Sequence, residues 1–206
     1  MQERTAVKAL LFLTATLALY LLIWQLSVQF FALPVYYYAR LIELLAIGLF
    51  ILLAVHTPMR FSEMGIVVPA RTLVRSLALG TAVSAMSLGA LALVAYLRGT
   101  LLLGWRMAGD VSRYTYFLVA PLQEILAKSV MLYSFEMIFD NKHPRLATLM
   151  SALSFAAFHV VYGIRMMLLS MVLCVITGWM FHRERCVWGC AIVHFSLGFF
   201  SVCLGF

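Results

Sequence analysis

The stretch from Val7 to about Phe30 is apolar over enough residues to cross a bilayer, and six further apolar runs follow it. A helix crossing the hydrocarbon needs about 20 such residues. Lipid offers the backbone no hydrogen-bond partners, so only helices and closed barrels span it. Barrel strands alternate polar and apolar positions, whereas these runs are continuous. The expected fold is therefore all-α, a polytopic transmembrane helical bundle of about seven spans. The runs are approximately Val7–Phe30, Tyr36–Val55, Ser76–Leu97, Tyr114–Phe139, Leu146–Tyr162, Ile164–Phe181 and Val187–Leu204. A chain of 206 residues then has no room for a separate soluble domain, and 1–206 reads as one membrane-embedded unit. The first run is longer than a signal-peptide core and lacks a small-residue cleavage site, so it is expected to be retained.

Composition excludes the soluble class. The chain is 65% hydrophobic and 11% charged, with a mean hydropathy of +1.01, against roughly 45–50% apolar and about 25% charged in soluble domains. A net charge of +7 raises the question of nucleic acid. The basic residues lie mainly in connectors, however, with no basic groove interleaved with aromatics. They read as charge that orients the protein and meets anionic lipid. Connectors on the N-terminal side hold Arg4, Lys8, Arg60, Arg71, Arg75, Lys142, Arg145, Arg183 and Arg185, and the opposite side holds Arg98, Arg106, Arg113 and Arg165. That asymmetry places the N-terminus in the cytoplasm. Cys174, Cys186, Cys190 and Cys203 sit in or beside apolar runs without a zinc spacing, and are expected to pack as small apolar residues.

Punctuation between the runs is clear. Leu33-Pro34 separates the first two. His56–Arg75 and Arg98–Arg113 read as connectors, Asp140–Pro144 as a compact turn, and His182–Arg185 as a short polar hinge. The third run carries Gly80, Ala82, Ser84, Ser87 and Gly89, small residues that let membrane helices approach closely.

Ionisable groups inside hydrocarbon are costly unless paired, which makes each one a candidate for function. Arg40 and Glu43, three apart, are expected to pair locally near the interface. Glu136, close to the end of its span, is expected to be solvated. Five others fall deeper. Gln123 and Glu124 lie about 14 Å into the fourth span at 1.5 Å per residue. Lys128 follows Glu124 by one turn and can pair with it. His159 ends the fifth span, and His194 lies a third of the way through the last. A lone membrane histidine is usually a packing residue. Polar insertions on three successive motifs of separate helices could instead converge on one buried chamber.

These motifs resemble a family. Gln123-Glu124-Ile-Leu-Ala-Lys128 is similar to E-E-x-x-x-R, the first motif of the CAAX prenyl protease and bacteriocin-processing (CPBP, or Abi) intramembrane endopeptidases. Phe155-Ala-Ala-Phe-His159 matches that family's F-x-x-x-H. Gly178 to His194 is similar to its last motif, and Phe61-Ser-Glu-Met-Gly65 to the segment that precedes its core. The resemblance covers about 61–206. It implies cleavage of a membrane-anchored or lipidated peptide near its C-terminus. The first glutamate and a histidine activate water, while the last-span histidine, with an asparagine four residues on, stabilises the oxyanion. Carried onto this chain, the site is Gln123, Glu124, His159 and His194, supported by Lys128, Phe155 and Gly198. No cofactor is expected. Glu124, His159 and His194 would be the ligands if zinc were present, although the spacing does not require it. A small chain of this kind points to a bacterial inner membrane, with a peptide substrate and the lipid bilayer as partners and no nucleic acid.

Three positions depart from the family pattern. Lys128 replaces the arginine and loses its bidentate fork. Gly198 replaces the asparagine, leaving Ser196 or Ser201 as neighbouring donors. Gln123 replaces the first glutamate, and an amide cannot act as a general base. Either the protease is inactivated, or the base has moved, with Glu124 the nearest carboxylate. The alternative is a non-catalytic protein of the same fold that holds a peptide or partner. A small transporter is disfavoured by the absence of a visible inverted repeat.

Overall fold

The computed structural model of the chain describes residues 2–31, 35–57, 60–99 and 115–203, so most of the Arg98–Arg113 connector lies outside the described residues. Those residues are all-α, without a strand, and form seven rods. They are α1 (Gln2–Phe30), α2 (Val35–His56), α3 (Ala70–Leu97), a fourth rod, α6 (Pro144–Ala157), α7 (Ile164–Glu184) and α8 (Val187–Cys203). The fourth rod runs without a break through α4 (Tyr116–Glu124), a π-helical segment (Ile125–Leu132) and α5 (Tyr133–Ile138). Among the described residues three helices are long and apolar enough to cross a membrane, over Arg4–Phe30, Ala70–Leu97 and Ile164–Glu184. Their outward faces carry Leu11, Val74 and Leu169, each more than half exposed, an arrangement suited to lipid rather than water.

Several boundaries differ from the sequence reading, each for a local reason. The expected Leu146–Tyr162 span is broken: α6 ends at Ala157 and a 3-10 turn, Val160–Tyr162, follows. At 1.5 Å per residue, 14 residues reach only about 21 Å. The break is stitched to α1 by Tyr20, whose buried hydroxyl donates to the Phe158 carbonyl at 3.0 Å. The expected hinge at His182–Arg185 is shorter, because α7 continues to Glu184 and turns at Arg185 in the left-handed region. The third helix starts at Ala70, so Arg71 and Arg75 lie on it rather than in a connector. Asp140 and Asn141, both at positive φ, make the tight turn expected there.

Glu136 is the clearest correction. It is not solvated but 2% exposed, and its carboxylate receives Arg185 Nη1 at 2.6 Å and meets His182 Nδ1 at 3.0 Å. The other ring nitrogen of His182 reaches Thr148 Oγ1 on α6 at 2.8 Å. One carboxylate thus ties α5 to the α7–α8 corner. The Phe61–Gly65 turn docks on the same corner. Val187 N–H donates to the Gly65 carbonyl at 3.0 Å and the Trp188 indole to Ile66 at 2.8 Å. Gly65 has φ +71°, and a Cβ there would meet Phe181 at 2.7 Å and the Arg185 carbonyl at 2.9 Å. Only glycine combines that backbone with that contact.

Small residues set the closest helix approach, though not all of those expected. A Cβ on Gly80 of α3 would lie 2.9 Å from Gly189 Cα of α8. One turn earlier, Ser76 Oγ accepts the Gly189 N–H at 3.2 Å. Gly89 has open space around it and takes no part in this seam. Arg40 and Glu43 do pair, at 2.9 Å.

Candidate active site

The site is built around an irregular helix. Pro121 sits inside α4, where it removes one backbone donor and crowds the carbonyl four residues back. One turn later the backbone widens into the π-helical segment, a form found mostly as short insertions at functional sites. Within it the Ala127 carbonyl accepts the Ser151 hydroxyl of α6 at 2.7 Å. The widened turn carries Lys128 and follows directly on Glu124.

Glu124 is fully buried, and its carboxylate has two partners. Oε1 lies 2.9 Å from His194 Nδ1 on α8, and Oε2 lies 3.8 Å from Lys128 Nζ. The ammonium group donates to the Cys174 carbonyl and to Cys174 Sγ, both at 2.9 Å. Cys174 therefore does more than fill space: it completes the shell of a charge that is 0% exposed. Such a charge would be untenable without close partners.

His159 follows the end of α6, 8% exposed, with Nδ1 2.9 Å from the Phe155 carbonyl. A carbonyl can only accept, so Nδ1 carries the proton and Nε2 is left with its lone pair in the neutral ring. The same logic holds at His194, where the carboxylate of Glu124 receives Nδ1–H. Phe155 stands between the two imidazoles, its ring centre 4.7 Å from that of His159 and 5.8 Å from that of His194. The structure thus brings together Glu124, Lys128, Phe155, His159 and His194 from the fourth rod, α6 and α8.

Gln123 is not part of this cluster. It is half-buried and has no hydrogen-bond partner among the described residues. Neighbouring helical residues point about 100° apart, and the direction taken by Glu124 is the one that meets α8. Gly198 is in contact with the cluster through a residue that sequence reading missed. A Cβ there would run into the Tyr116 hydroxyl and lie 2.6 Å from Tyr116 Cζ. No spacing rule connects positions 116 and 198. Ser196 has no hydrogen-bond partner among the described residues, and the Ser201 side chain lies outside them.

Among the described residues no three His, Cys, Asp or Glu side chains converge as ligands.

The family model described as Rce1-like, Type II CAAX prenyl endopeptidase Rce1-like, matches residues 111–200. The match contains Gln123, Glu124, Lys128, Phe155, His159, His194 and Gly198, and leaves out the Phe61–Gly65 turn. No curated protein and no solved structure matches the chain. With its long apolar helices, the chain is an integral membrane protein. Over residues 111–200 it is similar to the type II CAAX prenyl endopeptidases, a match that supports the CAAX-protease family.

Proposed function

We propose that the chain is an intramembrane endopeptidase of the CAAX-protease type, cleaving a membrane-anchored or lipidated peptide near its C-terminus, with the Glu124–His194 pair in place of the base that Gln123 cannot supply. The observation that supports this reading is the 2.9 Å contact between Glu124 Oε1 and His194 Nδ1 in a fully buried setting. A carboxylate on Nδ1 fixes the imidazole tautomer and stabilises its protonated form, leaving Nε2 as the base.

In the reaction, water oxygen bonds to the scissile carbonyl carbon while one water proton passes to His194 Nε2. The carbonyl π pair moves onto oxygen. Collapse re-forms the carbonyl, breaks the C–N bond, and returns the proton to the departing amine. His159 Nε2, with Nδ1 tied to Phe155, accepts the second water hydrogen bond and aims the nucleophile. Lys128, 3.8 Å from Oε2, holds the Glu124 carboxylate in place. General-base assistance of this kind contributes about 10²–10⁴-fold. Loop charge supports an orientation with the N-terminus in the cytoplasm, in the inner membrane of a bacterium.

A second reading, a non-catalytic protein that holds a peptide in the same chamber, is favoured by Gln123 standing where the family has glutamate. Cleavage of an isoprenylated C-terminal peptide in proteoliposomes separates the two. The first reading expects product from the chain as it stands and at least 100-fold less from His194→Ala, on the order of the general-base contribution. Binding of the peptide without product from the native chain, and without product from Gln123→Glu, would leave only the second.

A further inference from the structure

The acyl-transfer step proposed above leaves one requirement unmet. Negative charge develops on the carbonyl oxygen, and buried active sites place preorganised donors there. Position 198, one turn beyond His194 on α8, is glycine and brings no side chain. The space that a side chain at 198 would enter is taken by Tyr116, whose Cζ and Cε1 lie 2.6 and 2.7 Å from where the Cβ would be, with the hydroxyl closer still. The Tyr116 ring stands edge-on to His194, centroids 6.1 Å apart, and stacks on Phe195 at 6.2 Å. Both contacts fix the direction of the phenol. Its hydroxyl has no hydrogen-bond partner among the described residues. A phenol O–H held beside the His194 ring, with no hydrogen-bond partner among the described residues, can donate to a ligand acceptor.

We infer that Tyr116 is a catalytic residue of this chain, its hydroxyl donating to the scissile carbonyl oxygen as the tetrahedral oxyanion forms, with Gly198 kept small to admit it. The inference rests on the proteolytic reading of the same site. Tyr116 transfers no proton: water adds to the carbonyl carbon, His194 Nε2 holds the proton, and the phenol stabilises the oxyanion by a hydrogen bond until the amine departs. Tyrosine and glycine thereby form a matched pair across two helices, one supplying the donor and the other the room.

Tyr116→Phe tests this because it keeps the ring and removes only the hydroxyl. In proteoliposomes, with an isoprenylated C-terminal peptide, kcat is expected to fall about 10²–10³-fold, the usual loss of one oxyanion donor, while KM changes less than threefold. A phosphonate analogue of that peptide, a stable tetrahedral anion, is expected to bind native protein far tighter than the amide peptide. That preference is expected to collapse in Tyr116→Phe. Unchanged kcat and unchanged phosphonate preference would overturn the role of Tyr116 while leaving the protease intact. If native protein cuts nothing, the proteolytic reading fails on its own. Phosphonate binding then decides Tyr116 separately: a preference lost in Tyr116→Phe upholds the donor, and equal binding by both proteins overturns it. A drop in both kcat and melting temperature, restored by no increase in substrate, is excluded as support by requiring Tyr116→Phe to melt with native protein.

Discussion

Glu124 and His194 stand seventy residues apart in sequence and meet at 2.9 Å, oxygen to ring nitrogen, with neither side chain more than 4% exposed. The contact joins the π-widened fourth rod to the last helix. Of the two adjacent polar residues on the fourth rod, Glu124 makes this contact, and Gln123 has no hydrogen-bond partner among the described residues. A carboxylate holding Nδ1 of one histidine, beside a second histidine whose Nδ1 is held by a backbone carbonyl, leaves two Nε2 lone pairs beside one phenylalanine ring.

Lys128 is a structural necessity before it is anything else. Removing one partner of a buried pair typically costs about 3–5 kcal/mol, because the other charge is left uncompensated. Lys128→Leu is expected to lower unfolding stability in detergent by about that amount. Pairing it with Glu124→Gln should recover most of the loss, since no buried charge then remains. A double-mutant cycle in denaturant, showing simple additivity instead, would contradict the coupling at 3.8 Å.

The Glu136 tether should matter for stability and little for chemistry. Glu136 is buried but Arg185 is about half exposed, so screening reduces the pair's worth below that of a fully buried one. Glu136→Ala is expected to cost about 2 kcal/mol and to loosen the α7–α8 corner. Hydrogen exchange at Val187 N–H, which bonds to Gly65 in the native protein, is the readout. Unaltered protection there would contradict the tether.

The α3–α8 seam has no room to spare. Gly80→Leu forces side-chain atoms toward the Gly189 backbone and is expected to cost at least about 1–3 kcal/mol by overpacking. Gly89→Leu on the same helix, with open space around it, is expected to be nearly neutral. Thermal melting of the two variants side by side checks the contrast, and equal melting points would contradict it.

Much of this was legible from the chain. Apolar runs marked the helices, since lipid leaves the backbone no other choice, and Glu124, Lys128, His159 and His194 stood out because charge inside such runs is rare. The π-helical segment was not legible: Pro121 signals a disturbed helix, but nothing in the local sequence says whether the next turn tightens or widens. Glu136 misled for a related reason. Its position near a helix end suggested water, whereas Arg185 and His182 arrive from a turn some fifty residues later. Tyr116 against Gly198 is a tertiary juxtaposition with no local pattern at all.

The most direct measurement compares Glu124→Gln with Gln123→Glu in proteoliposomes, following cleavage of an isoprenylated C-terminal peptide by mass spectrometry. With Glu124 behind His194 as the working base, Glu124→Gln is expected to lose about 10²–10⁴-fold in rate, while Gln123→Glu stays within a few-fold of the native chain. The opposite pattern, with Glu124→Gln unaffected and cleavage appearing only when position 123 becomes glutamate, would contradict the account.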